Sequence, residues 1–338
     1  MAGLEIDLAE PAPVAADLAP LANEGEEGEA ADDDFDIEDG VVVGYHGEGG
    51  DIVIPERATA IGPWAFYESP LVTGVTIPGN IQEIGEGCFE NCPSLTRVTI
   101  KEGVATIHDS AFYECPKLEK VSGPGSVTEI GENAFSYIGD DDEDHPLKAV
   151  FIVEDGSYAQ KYAKKNGLAA RIDLSKAKVT TQAQIYTGKA LKPAVTVVLN
   201  KKTLRAGKDY KVAYKANKAV GTATVTVTGV GGYAGTATGS FAIKPKPVKG
   251  LKLEAGAKRL TASWKKGAGI TGYQLEYSLK KCFASAKKVN IAKADTVSRG
   301  IKGLQSGKKW YVSIRAYKKV NGKTYWSAWS DAQSVKVK

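Results

Sequence analysis

The chain has 338 residues, 43% of them apolar and 25% charged, with a formal net charge of only +4. At that length it can bury more than one core, and about 150 residues per domain implies two or three domains. No apolar run is long enough to span a membrane, and no basic n-region with a following apolar stretch opens the chain, so neither a transmembrane segment nor a secretory leader is expected from it.

Residues 1–34 are rich in Ala, Pro, Glu and Asp without periodicity, and the first basic side chain is Arg57. This segment is predicted to be a disordered acidic tether. Four consecutive stretches then begin at Ile52, Val75, Val98 and Val121, at an unbroken period of 23 residues. The third position of the unit holds Ile54, Ile77, Ile100 and Gly123, the tenth Ile61, Ile84, Ile107 and Ile130, and the fifteenth Phe66, Phe89, Phe112 and Phe135. A 23-residue unit cannot enclose a core alone, so identical apolar columns imply stacked coils with strands about 4.8 Å apart and one continuous core. Leu95–Ile100 reads as a strand, and Gly85–Cys92 is too short for more than one helical turn, stopped by Pro93 as Pro70 and Pro116 stop its equivalents.

The pattern V-x-I-P followed by I-G-x-x-x-F-x-x-C-P-x-L resembles the BspA-like branch of leucine-rich repeats known from bacterial surface proteins. The resemblance covers residues 35–172. It includes an opening hairpin from Phe35 to Pro55, a last strand at Ala149–Val153, and a capping helix with Ser157 at its N-cap and Gly167 past its end.

Residues 174–245 alternate strand signals, Ala194–Leu199, Tyr210–Tyr214 and Gly221–Val227, with Gly and Asn turns, which predicts a β-sandwich. Tyr186–Pro193 and Gly231–Gly235 resemble immunoglobulin-like repeats of bacterial surface proteins. Lys244-Pro245-Lys246-Pro247 reads as a stiff linker. Residues 246–338 then resemble a fibronectin type III domain, through Leu260–Trp264, Gly272–Tyr277, Leu304, Gly307 and Trp310–Tyr317. Trp310 stands where that family usually has a Tyr whose hydroxyl bonds back to the chain, so the corner must be held differently. Trp326-Ser327-Ala328-Trp329-Ser330 spells the WSxWS sequence of cytokine receptors. That resemblance implies a cation–π stack with Arg315 as the partner of Trp326 and Trp329, and we read the motif as strand-end packing rather than kinship. The expected fold class is therefore multidomain and mainly β, a short leucine-rich-repeat solenoid followed by two β-sandwich modules.

The small net charge hides a division. Residues 1–172 carry 10 Lys and Arg against 34 Asp and Glu, a net of −24, whereas residues 173–338 carry 34 against 6, a net of +28. A basic pair of sandwiches suits an anionic cell-wall polymer, anionic lipid or sulfated glycan, or is simply a solvated face. Nucleic acid is not expected as a partner, because no recognition motif accompanies the charge.

The sequence holds no nucleophile elbow, no Gly-rich phosphate loop and no ligand-spaced His/Cys cluster, so no cofactor, metal or enzyme activity is expected. His46, His108 and His145 fall in three different settings, and the acidic run Asp140–His145 lacks the glycine and ligand spacing of a calcium loop. Cys92 and Cys115 share a column of adjacent coils and read as stacked buried residues, with a neighbour-to-neighbour disulfide as the open alternative. Binding must then lie on surfaces. Thr76, Arg97, Thr99, Lys120 and Ser122 are expected to face outward from the solenoid strands, and Trp64 and Tyr67 to form an aromatic patch or pack against the opening hairpin. These readings suggest a non-catalytic protein, secreted or on a bacterial surface. Its ligand would be a host matrix protein such as fibronectin or fibrinogen, as the resemblance implies, or a glycan. A wall-associated scaffold and the targeting part of a larger secreted hydrolase are the alternatives.

Overall fold

The computed structural model describes residues 32–338. Of the segment expected to be disordered, residues 1–31 lie outside the described residues. Asp32–Asp34 form a 3₁₀ turn, and the Asp34 carbonyl accepts the His46 N–H at 3.0 Å. The chain divides into two compact units, the first ending at Ala170 and the second running from Arg171 to Lys338.

In the first unit each repeat forms one coil. Strands Gly50–Val53, Val72–Ile77, Arg97–Ile100, Lys120–Gly123 and Val150–Val153 pair in parallel in that order, with Ile52, Val75, Val98, Val121 and Phe151 in register. These five side chains are buried, and so are Ile54, Ile77 and Ile100 two residues on, as the period of two demands when one face meets the core. A second parallel sheet runs along the tenth-position isoleucines, through Ala60–Ile61, Glu83–Ile84, Thr106–Ile107 and Glu129–Ile130. It begins with Val41–Tyr45, whose Val42 pairs with Ile61, and with the antiparallel strand Phe35–Glu38.

The single helical turn expected at Gly85–Cys92 is not formed. Trp64, Gly87, Ser110 and Asn133 all have φ between 54° and 56°, and Glu68, Asn91 and Glu114 between 53° and 55°. Left-handed residues four apart break a right-handed helix. Alternate N–H groups of the turn point at the next coil instead: Trp64 to the Glu86 carbonyl at 3.0 Å, Phe66 to Cys88 at 2.7 Å and Glu68 to Glu90 at 3.0 Å. The turn backbone thus satisfies its polar groups both between coils and within one, the Tyr67 and Glu90 N–H groups bonding the Trp64 and Gly87 carbonyls of their own turns at 3.0 Å.

Phe66, Phe89, Phe112 and Phe135 stack in one column, their centroids 4.5, 5.3 and 5.0 Å apart and each pair within 13° of parallel. Phe35 and Tyr45 of the opening hairpin close one end of this column. Phe151 closes the other edge-on, at 4.8 Å and 83°. Helix Tyr158–Lys165 follows, with the Ser157 hydroxyl accepting the Gln160 N–H at 3.2 Å and Gly167 at φ 72° beyond its end. Its Ala159 and Ala163 are buried against the last coil. The acidic run is solvated but ordered: Ser136–Ile138 and Asp144–Pro146 pair as an antiparallel hairpin.

The second unit holds two cores, each between two sheets. In the first, Lys178–Thr181, Val195–Leu199 and Lys202–Thr203 face the sheet ordered Gln184–Ile185, Thr236–Lys244, Gly221–Gly229, Tyr210–Lys215. In the second, Lys252–Gly256, Arg259–Ser263 and Ser298–Lys302 face a sheet of Lys287–Ile291, Gly272–Ser278, Lys309–Val320 and Lys323–Trp326, with Gln333–Lys336 also pairing Lys309–Val320. The Pro-rich connector is not a free spacer, because Pro245 and Val248 are buried. The Thr222 hydroxyl also meets the Tyr325 hydroxyl at 2.6 Å across the junction.

Candidate functional site

The register of the solenoid strands decides which side chains share its open face. Thr76, Thr99 and Ser122 stand in one column, and Asp51, Gly74, Arg97 and Lys120 in the next. Thr76, Thr99, Lys120 and Ser122 are half-buried by their neighbours, and Arg97 is exposed. The Arg97 guanidinium reaches across Gly74 to form an ion pair with Asp51, whose carboxylate also accepts the Thr73 hydroxyl at 3.0 Å. A side chain on Gly74 would fill that space, since its Cβ would sit 2.5 Å from the Asp51 Oδ1 and 3.0 Å from the Arg97 Cγ. Asp51 and Thr73 were missed in the sequence, although Asp51 precedes the inward Ile52 just as Arg97 precedes Val98.

The turn edge of the coils is a second surface. Trp64 and Tyr67 are 54% and 46% exposed, and the nearby Leu71 is also exposed. Phe66, between them in sequence, takes the stacking contact with the opening hairpin instead. The Trp64 indole lies over Gly87 of the next coil, where a Cβ would come within 2.5 Å of the Trp64 Nε1. The segments 60–69, 83–92, 106–115 and 129–138 contain no Lys or Arg. Burial pushes the Glu90 carboxyl up from its ordinary range, and Glu114 and Glu86 push it further. Burial and the hydrogen bond to Asp144, 2.9 Å long, push the Tyr113 hydroxyl up to about 12.

The third constellation belongs to the second unit. The Arg315 guanidinium carbon lies 3.9 Å from the Trp326 ring centroid and 4.4 Å from that of Trp329, so one cation is held between two indoles. Its Nε and Nη2 both donate to the Gln274 Oε1, at 3.0 and 2.6 Å. The two serines of the motif extend the pairing: the Ser327 Oγ accepts the Ala316 N–H at 2.9 Å and the Ser330 Oγ accepts the Ile314 N–H at 3.1 Å. At the variant corner, the indole N–H of Trp310 is buried with no hydrogen-bond partner, as is that of Trp264. Trp310 packs against Tyr277 at 5.8 Å.

Titratable groups elsewhere pair singly. His46 lies 3.6 Å from Asp36, His108 3.3 Å from Glu83 and His145 2.7 Å from Asp141. Among the described residues no three His, Cys, Asp or Glu side chains come together as a metal site. Cys88, Cys92 and Cys115 are buried free thiols. Those of Cys92 and Cys115 donate to the Phe66 and Phe89 carbonyls of the preceding coils, at 3.3 and 3.1 Å. Burial pushes the Cys88 thiol well above its ordinary range.

A stacked 23-residue coil with an open strand face defines a repeat solenoid. Residues 49–140 match the BspA type leucine rich repeat region in six copies, so this part of the chain is a BspA-type leucine-rich-repeat segment. A leucine-rich repeat protein from Bacteroides capillosus is similar at 30% identity over 28% of this chain and 80% of that one, with a TM-score of 0.27. The chicken CNTN1 FN1-FN3 domains share 13% identity over 50% of this chain and 68% of theirs, with a TM-score of 0.26. The fn3 domain of human collagen alpha-1(XX) chain shares 19% over 28% and 86%, with a TM-score of 0.24. No curated protein matches the chain.

Proposed function

We propose that this is a non-catalytic adhesion or binding protein, secreted or held at a bacterial surface. Its solenoid recognises a protein or glycan ligand, and its basic immunoglobulin-like and fibronectin type III-like modules act as a stalk that contacts anionic wall polymer. The observation that carries the reading is the solenoid's open strand face, where Thr76, Thr99 and Ser122 repeat in register beside Arg97 and Lys120. A rigid, regularly spaced row of short polar side chains gives a recognition surface that costs little conformational entropy on binding. BspA-type repeats occur typically in surface-associated proteins, which supports the location. Among the described residues no helix is long and apolar enough to cross a membrane.

The test is binding of the full chain to immobilised fibronectin and fibrinogen and to purified Gram-positive cell walls across a salt series. A Thr76→Lys, Thr99→Lys double substitution blocks the face without touching the core. Loss of host-protein binding in that variant, with wall binding retained, is the expected result. Failure of the unaltered chain to bind either host protein removes the adhesion reading and leaves the scaffold.

A further inference from the structure

The basic unit concentrates cations at one end of its last module. Three segments distant in sequence meet there through the backbone. The Lys258 N–H donates to the Lys338 carbonyl at 2.8 Å, Leu304 to Lys258 at 3.0 Å and Val337 to Lys308 at 3.1 Å. Between them, residues 256–259, 302–309 and 333–338 contain no Asp or Glu. Lys258, Arg259 and Lys302 line an open cleft with Ala257 and Gly303.

Arg259 and Lys302 are directly opposed across antiparallel strands of one sheet, and Lys309 and Lys336 across strands of the other. Like charges in that position repel and destabilise the sheet. No described carboxylate relieves it, although the Lys309 Nζ lies 5.5 Å from the Tyr311 ring centroid. Among the described residues none of these five cations, nor Lys308, forms an ion pair, whereas Arg205 and Lys266 elsewhere in the unit meet Asp209 and Asp295. Glu254 stands on the same face one step along it, opposite Thr261. Arg259 is laid over Gly256, where a Cβ would come within 2.7 Å of its Cγ and Nε, so any other residue there would displace it. Two opposed cations, a third at the turn and a concave floor without carboxylates suit an anionic group bound from outside, with Arg as the fork and Lys as point charges.

We infer that this end of the module is a phosphate-binding site for a linear polyphosphodiester of the cell wall. The inference rests on the proposed contact with anionic wall polymer and locates it. An extended polymer with one charge per unit can seat one phosphate in the cleft between Lys258, Arg259 and Lys302.

The experiment uses the full chain. Binding is measured to Gram-positive walls bearing phosphodiester polymer, to the same walls stripped of it with hydrofluoric acid, and to heparin-coated surfaces. Unaltered protein is compared with the triple substitution Lys258→Gln, Arg259→Gln, Lys302→Gln. A charge-matched control carries Lys192→Gln, Lys208→Gln, Lys218→Gln at exposed positions of the preceding module. Site substitutions are expected to weaken binding to phosphate-bearing walls about tenfold and flatten its salt dependence, and the control to change it less than about twofold. The free site variant is also expected to melt no lower than the unaltered protein, since it loses repulsion and no hydrogen bond. If unaltered protein binds and both triple variants weaken equally, the charge acts diffusely and only the site is overturned. If unaltered protein binds neither kind of wall, the wall-polymer reading fails and the site with it. Binding to heparin but not to phosphate-bearing walls assigns a sulfated partner and overturns the phosphate site.

Discussion

Asp51 and Arg97 lie 46 residues apart in sequence and two coils apart in the solenoid, and they form an ion pair over Gly74. The pair bridges three strands, but its side chains are 44% and 52% exposed, so solvent screens it. Arg97→Ala is therefore expected to lower stability by less than about 1 kcal/mol in denaturant unfolding. Because Arg97 is already neutralised, the open face should bind anions poorly unless Asp51 is removed. Asp51→Asn should then strengthen retention on an anionic resin at low salt, and unchanged retention would show that the guanidinium is not freed.

Two glycines separate tolerance from intolerance. A Cβ on Gly74 comes nearest the side chains of Asp51 and Arg97, which can move aside, whereas a Cβ on Gly103 would lie 2.0 Å from the backbone oxygen of Gly79. Gly103 also sits at φ 122°, a conformation that L side chains rarely adopt. Gly103→Ala is expected to cost more than about 2 kcal/mol and Gly74→Ala less than about 1, read from the midpoint of chemical unfolding.

The phenylalanine column should carry much of the solenoid's cooperativity. Phe89 is fully buried between Phe66 and Phe112. Phe89→Ala is expected to cost about 3–5 kcal/mol, and Phe89→Leu less, because it keeps most of the volume and loses the ring contacts. Equal losses in the two variants would mean that ring stacking, rather than filled space, is what matters there.

The repeat columns and the phenylalanine stack were legible in the sequence because one residue type recurs at a fixed interval, and strand pairing turns recurrence into contact. The repeat strands of the second sheet were not, since each is two residues long and shows no alternation. The turn conformation left a signal that was passed over: Gly87 and Asn133 in one column and Asn91 in the other are the residue types that accept positive φ most readily. Arg315, Trp326 and Trp329 were legible because the resemblance of residues 326–330 to the WSxWS sequence implied the stack, and Trp326 ends a strand that pairs beside Arg315, opposite Tyr317. The cationic cleft of the last module was hidden because Arg259 and Lys302, 43 residues apart, meet only through the pairing of their strands.

His145 and Asp141 make a pH-dependent contact in the acidic hairpin. The hydrogen bond to Asp141 raises the His145 pKa above its ordinary 6.5, and the same bond lowers that of Asp141. A raised histidine pKa gives stabilisation that is complete below the unfolded value and is lost as pH rises through the folded one. A lowered aspartate pKa gives stabilisation present above the unfolded value and lost as pH falls through the folded one. The contact is therefore strongest in mildly acidic solution. An NMR titration should place the His145 midpoint above 6.5, and Asp141→Asn should bring it down; an unmoved midpoint would assign the shift to Glu143 and Asp144 instead.

Arg315 offers a test of geometry against charge. Lysine in its place keeps the cation but loses the planar fork that gives two N–H groups to the Gln274 Oε1, and it stacks less well between Trp326 and Trp329. Gln274 is buried, so its carbonyl oxygen would lose donors that water cannot easily replace. Arg315→Lys is expected to cost about 1–3 kcal/mol, nearly as much as Arg315→Met, in thermal unfolding followed by tryptophan fluorescence. If lysine retained full stability while methionine did not, the indoles would be responding to positive charge alone and the hydrogen-bonded fork would be incidental.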